Sequence, residues 1–156
     1  MTEQLTAAAA PSTVGGAEGA GETGVALLLR RLEHQLGQRL QPVLAEHSLT
    51  GEHWQVLAVL LARPGVGMSE LAASAVLPAA TLTRHMDRLV ERALVVRRID
   101  PDDKRRVVAA LSPRGLEIAR TIRAAERRIE EDWAAQTDDS VRQAVAALLR
   151  QSSSAE

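Results

Sequence analysis

Residues 97–106 read RRIDPDDKRR: five basic and three acidic side chains in ten residues, set between the apolar runs LVV and VVAAL. Lys104 is the only lysine of the chain. Side chains of this kind bind polyanions. Guanidinium and ammonium groups neutralise phosphates, and a narrow minor groove focuses a negative potential that draws an arginine in. Asp100-Pro101-Asp102-Asp103 suits a type I turn, with Asp first and Pro second. That turn puts Lys104, Arg105 and Arg106 at or near a hairpin tip. Asp103 stands two residues before Arg105, placed to hold its guanidinium by a charge-assisted bond and aim it. The plain alternative is a solvated turn with scattered charges.

A second group lies just upstream. On a helix over 79–92, Leu82, Met86, Leu89 and Ala93 fall in one narrow arc. Ala80, Arg84, Asp87, Arg88 and Glu91 lie opposite, with Thr81 and Thr83 on the flanks. Small, hydroxyl and arginine side chains suit base edges and phosphates in a major groove. An ordinary solvent-facing helix looks similar, but the basic hairpin that follows favours the DNA reading. Ser69 is expected to cap the short helix before it, SELAASAV, and to join the contact surface.

These groups need elements to hold them. Val25, Leu28, Leu29, Leu32, Leu36, Leu40 and Leu44 recur at helical spacing, with Pro42 expected to kink or thin the last turn. Thr50 is a good N-cap for a helix through Trp54, Leu57 and Leu61 that stops at Arg63-Pro64-Gly65. LVVRRI and RVVAAL read as two strands flanking the charged loop. Ser112-Pro113 opens a long helix carrying Ile118, Ile122, Ala125, Ile129 and Trp133. Thr137 caps a last helix with a stripe of Val141, Ala144, Val145, Leu148 and Leu149. A short helix, a turn, an amphipathic helix and a two-stranded hairpin make a winged helix-turn-helix. The expected fold is mainly α: a winged helix-turn-helix DNA-binding lobe with a two-stranded wing (50–112), plus N- and C-terminal helices (23–47 and 113–150) forming a dimerisation region. Residues 1–22 read as a disordered tail and 151–156 as a frayed end.

Charge follows this division. Residues 1–77 hold 4 basic and 7 acidic groups, residues 78–114 hold 9 and 5, and residues 115–156 hold 6 and 8. The positive block therefore coincides with the elements expected to meet DNA, although the formal net charge is only -1. Without cysteine there is no disulfide, thiolate ligand or cysteine redox switch. The histidines (34, 47, 53, 85) form no His-x-x-x-His pair, so no metal site is expected. No Gly-rich phosphate loop or nucleophile elbow appears, and neither catalytic residues nor a cofactor are expected. The start of the chain lacks the pattern of a signal peptide, and no apolar run approaches the ~20 residues that span a bilayer. A cytoplasmic protein without membrane contact is expected.

The stretch TLTRHMDRLVERALVVRRIDPDDKRRVVAALSPRG resembles the multiple-antibiotic-resistance regulator (MarR) family of winged helix-turn-helix transcription factors. It looks like that family's recognition helix, then the wing with its Asp-x-Arg element (Asp103-Lys104-Arg105), then the Leu-Ser/Thr-x-x-Gly opening of the next helix (Leu111 to Gly115). GEHWQVLAVL and MSELAASAVL match more loosely, and the resemblance covers about residues 25–150. It implies a homodimer interlocked through helices 25–46, 113–135 and 138–150, bound to a pseudo-palindromic operator, usually as a repressor. In many members a small phenolic or aromatic anion binds between the dimer helices and the DNA lobe and weakens DNA binding. Two positions depart from the pattern: Pro78 stands where similar proteins have a Ser or Thr cap, and Ala93 where they have Gly.

The DNA-contact candidates are thus Ser69, Ala80, Thr81, Thr83, Arg84, Arg88, Lys104, Arg105 and Arg106, with Asp103 orienting the wing. Leu28, Leu32, Leu36, Ile122, Ile129, Val145 and Leu148 are the candidates for the dimer interface. His34, His53 and Trp54 are the ligand candidates, since His can pair a carboxylate and Trp can stack on a ring. The simpler reading makes Trp54 core and the histidines partly exposed. The alternatives in function are a non-specific architectural DNA binder and a protein-interaction module on the same fold.

Overall fold

The computed structural model of the chain describes residues 24–100 and 103–136 and the single positions 140, 143 and 147. The chain divides into two units, residues 1–33 and 34–156. In the first, α1 (Val25–Glu46) begins with Val25, Leu27, Leu28 and Leu29 all exposed. The second holds the rest of α1 and then α2 (Gly51–Ala62), β1 (Val66–Gly67), α3 (Met68–Ser74), α4 (Ala79–Glu91), β2 (Val95–Ile99), β3 (Val107–Leu111) and α5 (Pro113–Ala135). The strand order is β1-β3-β2, antiparallel throughout, with Val66 opposite Ala109 and Ile99 opposite Val107.

The core is aliphatic, as a chain without Phe or Tyr requires. Leu40 and Leu44 of α1, four residues apart on one face, are buried with Val56, Leu57 and Leu60 of α2. Leu71 of α3, Leu82, Met86 and Leu89 of α4, and Ala119 and Ile122 of α5 complete it. α2 lies at the centre, against α3, α4, α5 and β3. The Thr50 hydroxyl accepts the His53 N–H, and the Thr50 N–H donates to His53 Nδ1 at 3.1 Å, so a histidine fills the place of the usual acid in a capping box. α1 runs through Pro42 to Glu46, giving up one ladder bond there.

Three helices end in the same way. After α1, α3 and α4, the residues Ser48, Val76 and Ala93 take φ of 52, 54 and 54°. In each case the next residue is a leucine whose N–H reaches back to a carbonyl five residues earlier: Leu49 to Leu44, Leu77 to Ala72 and Leu94 to Leu89. This is the Schellman closure, normally built on glycine, and the leucine supplies its apolar contact. Leu49 and Leu94 are buried and Leu77 is half-buried.

The start of α5 sits on the exit of α4. The Ser112 N–H donates to Leu94 O at 2.9 Å and its hydroxyl to Ala93 O at 2.7 Å, while the hydroxyl oxygen accepts the Gly115 N–H at 2.9 Å. The backbones come so close that a Cβ on Gly115 would lie 1.9 Å from Leu94 O.

Several expectations need correction. β1 was not foreseen; two residues are too short for any periodicity. Ser69 does not cap α3: Gly67 is the N-cap, without a side-chain bond, and Ser69 lies within the first turn. Ala93 is exposed rather than part of the buried arc of α4, because the chain has already left the helix there. Ile122 is fully buried in this chain's own core and leaves no surface for a dimer contact. Ile129 is partly buried against that core, and Leu32 and Leu36 are half-buried. The tail over 1–22, the end over 151–156 and the last-helix residues Thr137, Val141, Ala144, Val145, Leu148 and Leu149 lie outside the described residues.

Candidate nucleic-acid interface

α4 turns Leu82, Met86 and Leu89 inward, which leaves Ala80, Thr83, Arg84, Asp87, Arg88 and Glu91 exposed and Thr81 half-buried on the flank. The N-cap is Pro78, which offers no side-chain acceptor, so the first amides of the helix stay open to an external one. Thr83 returns its hydroxyl to Ala79 O at 3.0 Å. Among the described residues Arg84 and Arg88 make no ion pair, and their guanidinium groups are left to phosphates or base edges.

The wing is fixed to this helix. Arg97 of β2 donates to Asp87 Oδ1 of α4 at 2.8 Å, joining helix and hairpin across ten residues. Sequence reasoning placed Asp87 on the outer face but missed this partner, because the pair forms only once the hairpin folds back. At the far end of the wing, the Asp100 N–H donates to Arg106 O at 2.8 Å and the Arg106 N–H to Asp103 O at 2.9 Å. The tight turn of the described residues is therefore Asp103–Arg106, later in the loop than the expected Asp100–Asp103 turn; Pro101 and Asp102 lie outside the described residues. The carboxylate of Asp103 accepts the backbone N–H of Arg105 at 3.0 Å. It thus fixes the turn through the main chain, as Asp does in an Asx-turn, and does not hold the guanidinium.

The five basic groups of the wing, Arg97 included, divide into those paired with a carboxylate and those that, among the described residues, are not. Lys104 and Arg105 are exposed and, among the described residues, unpaired. Arg106 turns back, with Nη2 at 3.5 Å from Glu70 and Nη1 at 3.7 Å from Asp100. Arg98 is exposed beside Arg97 and adds a positive charge that the expected contact set left out.

The ligand candidates separate. Trp54 is 5% exposed and its Nε1–H donates to Glu126 Oε1 of α5 at 2.7 Å, so it is a core residue with a satisfied polar end. Glu126 and Glu130 also pair with Arg123. His34 is exposed, with Gln38 as hydrogen-bond partner at 2.9 Å. His53 is buried, against the expectation of partial exposure, because its ring closes the α2 cap. Its Nδ1 accepts a backbone proton, which requires a neutral ring. Burial, then the positive charge of His85, Arg92 and Arg88, hold its pKa below the ordinary value, against the pull of Glu52. The His85 ring of α4 meets it edge-on at 4.8 Å between centroids. His53 Nε2 and His85 Nδ1 are both buried without a hydrogen-bond partner. Arg92, at the end of α4, donates to Ser48 O at 2.8 Å and to His47 O, tying α4 to the end of α1. Among the described residues no cluster could hold a metal ion and no helix is long and apolar enough to cross a membrane.

Comparison with known proteins gives the same outline. The MarR family matches residues 47–106, from the end of α1 through the wing turn. A protein of Thauera aromatica, named as a candidate transcriptional regulator of the hcr operon, is 28% identical over 95 residues. That match takes in 61% of this chain and 57% of the relative, so it spans little more than half of that protein. Bordetella bronchiseptica BpsR, whose DNA binding is regulated by 6-hydroxynicotinic acid, superposes with a TM-score of 0.72 at 25% identity, over 90% of this chain and all of that one. S. aureus MepR in complex with DNA shares the fold, with a TM-score of 0.70 at 22% identity over 85% of this chain and 99% of that one.

Proposed function

With residues 47–106 matching the MarR family, we propose that the chain is a sequence-specific DNA-binding transcriptional regulator. It acts as a homodimeric repressor on a pseudo-palindromic duplex, and a small aromatic or phenolic anion releases it. The observation that carries this reading is the pairing of two unneutralised basic surfaces on one lobe. Arg84 and Arg88 stand on the outer face of α4, Lys104 and Arg105 stand at the wing, and the Asp87–Arg97 bond sets one against the other. A basic helix face beside a basic hairpin suits the major and minor grooves of one duplex. The DNA complex of MepR and the ligand-regulated DNA binding of BpsR support it.

The homodimer rests on the exposed Val25, Leu27, Leu28 and Leu29 at the head of α1. Four apolar side chains facing water within five residues mark a partner surface. The work of such a regulator is in the cytoplasm and includes no catalytic step. An anion placed at Trp54 would have to displace Glu126, and one placed at His53 would have to open the α2 cap; exposed His34 is the freer of the candidates.

Selection of preferred sequences from random duplexes tests the function. A regulator yields a pseudo-palindrome with half-sites about one helical turn apart and prefers it by roughly 10³ or more over random DNA. Equal binding to every duplex would make the protein an architectural binder, and no binding would make the lobe a protein-interaction module.

A further inference from the structure

Among the described residues, Arg106 is the one basic side chain of the wing turn whose charge is answered by carboxylates. β1 pairs with β3 at Gly67 opposite Val108, which brings Arg106, two residues before Val108, alongside the start of α3. Its guanidinium lies over the Gly67 backbone: a Cβ there would be 2.8 Å from Nε and 2.9 Å from Nη2. From that position Nη2 faces Glu70 of α3 and Nη1 faces Asp100 at the end of the wing. Glu70 is itself held by Arg63, at 2.8 Å, whose other nitrogen donates to Ser74 at 2.6 Å. The plane of the guanidinium thus bridges the wing and α3 across an open cleft lined by Gly67, Met68, Ser69, Glu70, Arg106 and Val107.

We infer that Arg106 is a positioning residue: it docks the wing onto α3 and so sets the angle at which Lys104 and Arg105 reach DNA, without contacting DNA itself. This rests on the DNA-binding reading above. The side chain suits the task for three reasons. Its planar fork can address two carboxylates at once, which a point charge on a lysine cannot. It needs a residue without Cβ beneath it, and residue 67 is glycine. Exposed ion pairs add little to global stability but are enough to bias a two-stranded hairpin, whose own stability is marginal. Glu70, an acid close to the reading surface, then has a purpose: it is the anchor of the dock.

The experiment uses the full chain, the duplex recovered by selection and the same duplex with its sequence scrambled. Arg106→Ala and Arg106→Lys should each weaken binding to the recovered duplex by about tenfold, the order of one mismatched base pair. The slope of log K against log salt should stay that of the parent, whereas Arg105→Ala should lower it by about 0.9. Glu70→Gln should also weaken binding, although removing an acid near DNA ought by Coulomb's law to tighten it. Without any DNA, Arg106→Ala should speed amide hydrogen exchange at Asp100 and at the start of β3 by about tenfold, and Arg105→Ala should not. Parental affinity in Arg106→Lys would overturn the inference and make Arg106 a simple phosphate contact. So would tighter binding by Glu70→Gln, or a slope lowered by about 0.9 in Arg106→Ala with unchanged exchange. If the parent does not distinguish the recovered duplex from the scrambled one, the regulator reading fails by itself. The exchange measurement then judges the dock alone: faster exchange in Arg106→Ala upholds it and unchanged exchange overturns it.

Discussion

Replacing Val76 by glycine should make this protein more stable, even though it deletes a side chain from a folded structure. Val76 holds φ of 54°, in the left-handed region, and is 84% exposed. An L-residue there carries about 1–2 kcal/mol of strain, and a β-branched one sits at the upper end. Glycine relieves that strain but gives the unfolded chain more freedom, which offsets about 0.4–1 kcal/mol. With the side chain in water, almost no burial is lost. The net gain is about 1 kcal/mol for Val76→Gly and about 0.5 kcal/mol for Ala93→Gly, which is exposed but unbranched. For a chain of this length, 1 kcal/mol raises Tm by about 2–4 °C. Thermal unfolding of parent, both single variants and the double variant, at one fixed protein concentration, reads these values. The gains should add, because one turn closes α3 and the other α4, and they share no bond. A lower Tm in Val76→Gly, or a larger gain at Ala93 than at Val76, would refute the strain argument.

Three further outcomes are expected. Gly115→Ala drives a Cβ into Leu94 O, a carbonyl already held by the Ser112 N–H, and should destabilise by about 3 kcal/mol or more in denaturant titration. Stability should be full above pH 6.5, the ordinary value for histidine, and should fall as the pH drops from there towards the lower folded pKa of His53, because the unfolded chain then binds the proton more readily. His53→Gln keeps a capping-box side chain without a titratable ring and should flatten that slope, as urea unfolding at a series of pH values would reveal. Trp54→Phe keeps the ring and loses the bond to Glu126, which retains Arg123, and should lower stability by about 1–2 kcal/mol in a thermal melt.

The helices were legible because their stripes are long: Leu40 and Leu44, then Leu82, Met86 and Leu89, repeat at helical spacing and are buried where that spacing puts them. Thr50 and Ser112 marked helix starts through local chemistry, and both accept the expected N–H. The helix ends were harder. A left-handed closure is normally announced by glycine, but here Ser48, Val76 and Ala93 take that conformation, and only Ala93 was flagged, by its place in the family resemblance. β1 escaped because two residues have no period. Around the wing, residue types and positions predicted which groups are basic and exposed, but not which are spoken for. Arg97 and Arg106 look like Arg98 and Arg105 in sequence; their carboxylate partners, Asp87 and Glu70, are 10 and 36 positions away and are met only after the sheet forms. Asp103 was expected to hold the Arg105 guanidinium, but its acceptor is used by the main chain, which competes for a short carboxylate more effectively than a long, mobile guanidinium does.

The seam between Leu94, Ser112 and Gly115 also limits how the molecule can let go. Ser112 is bolted to the exit of α4 by two bonds, one from its amide and one from its hydroxyl, and it is at once the last residue of the wing and the cap of α5. With no room for even a methyl group at Gly115, there is no slack in that joint. A tilt of α5 therefore turns helix and hairpin together, like the jaws of a tool mounted on one handle. In the proposed complex with DNA, such a tilt would withdraw the contacts of helix and hairpin together.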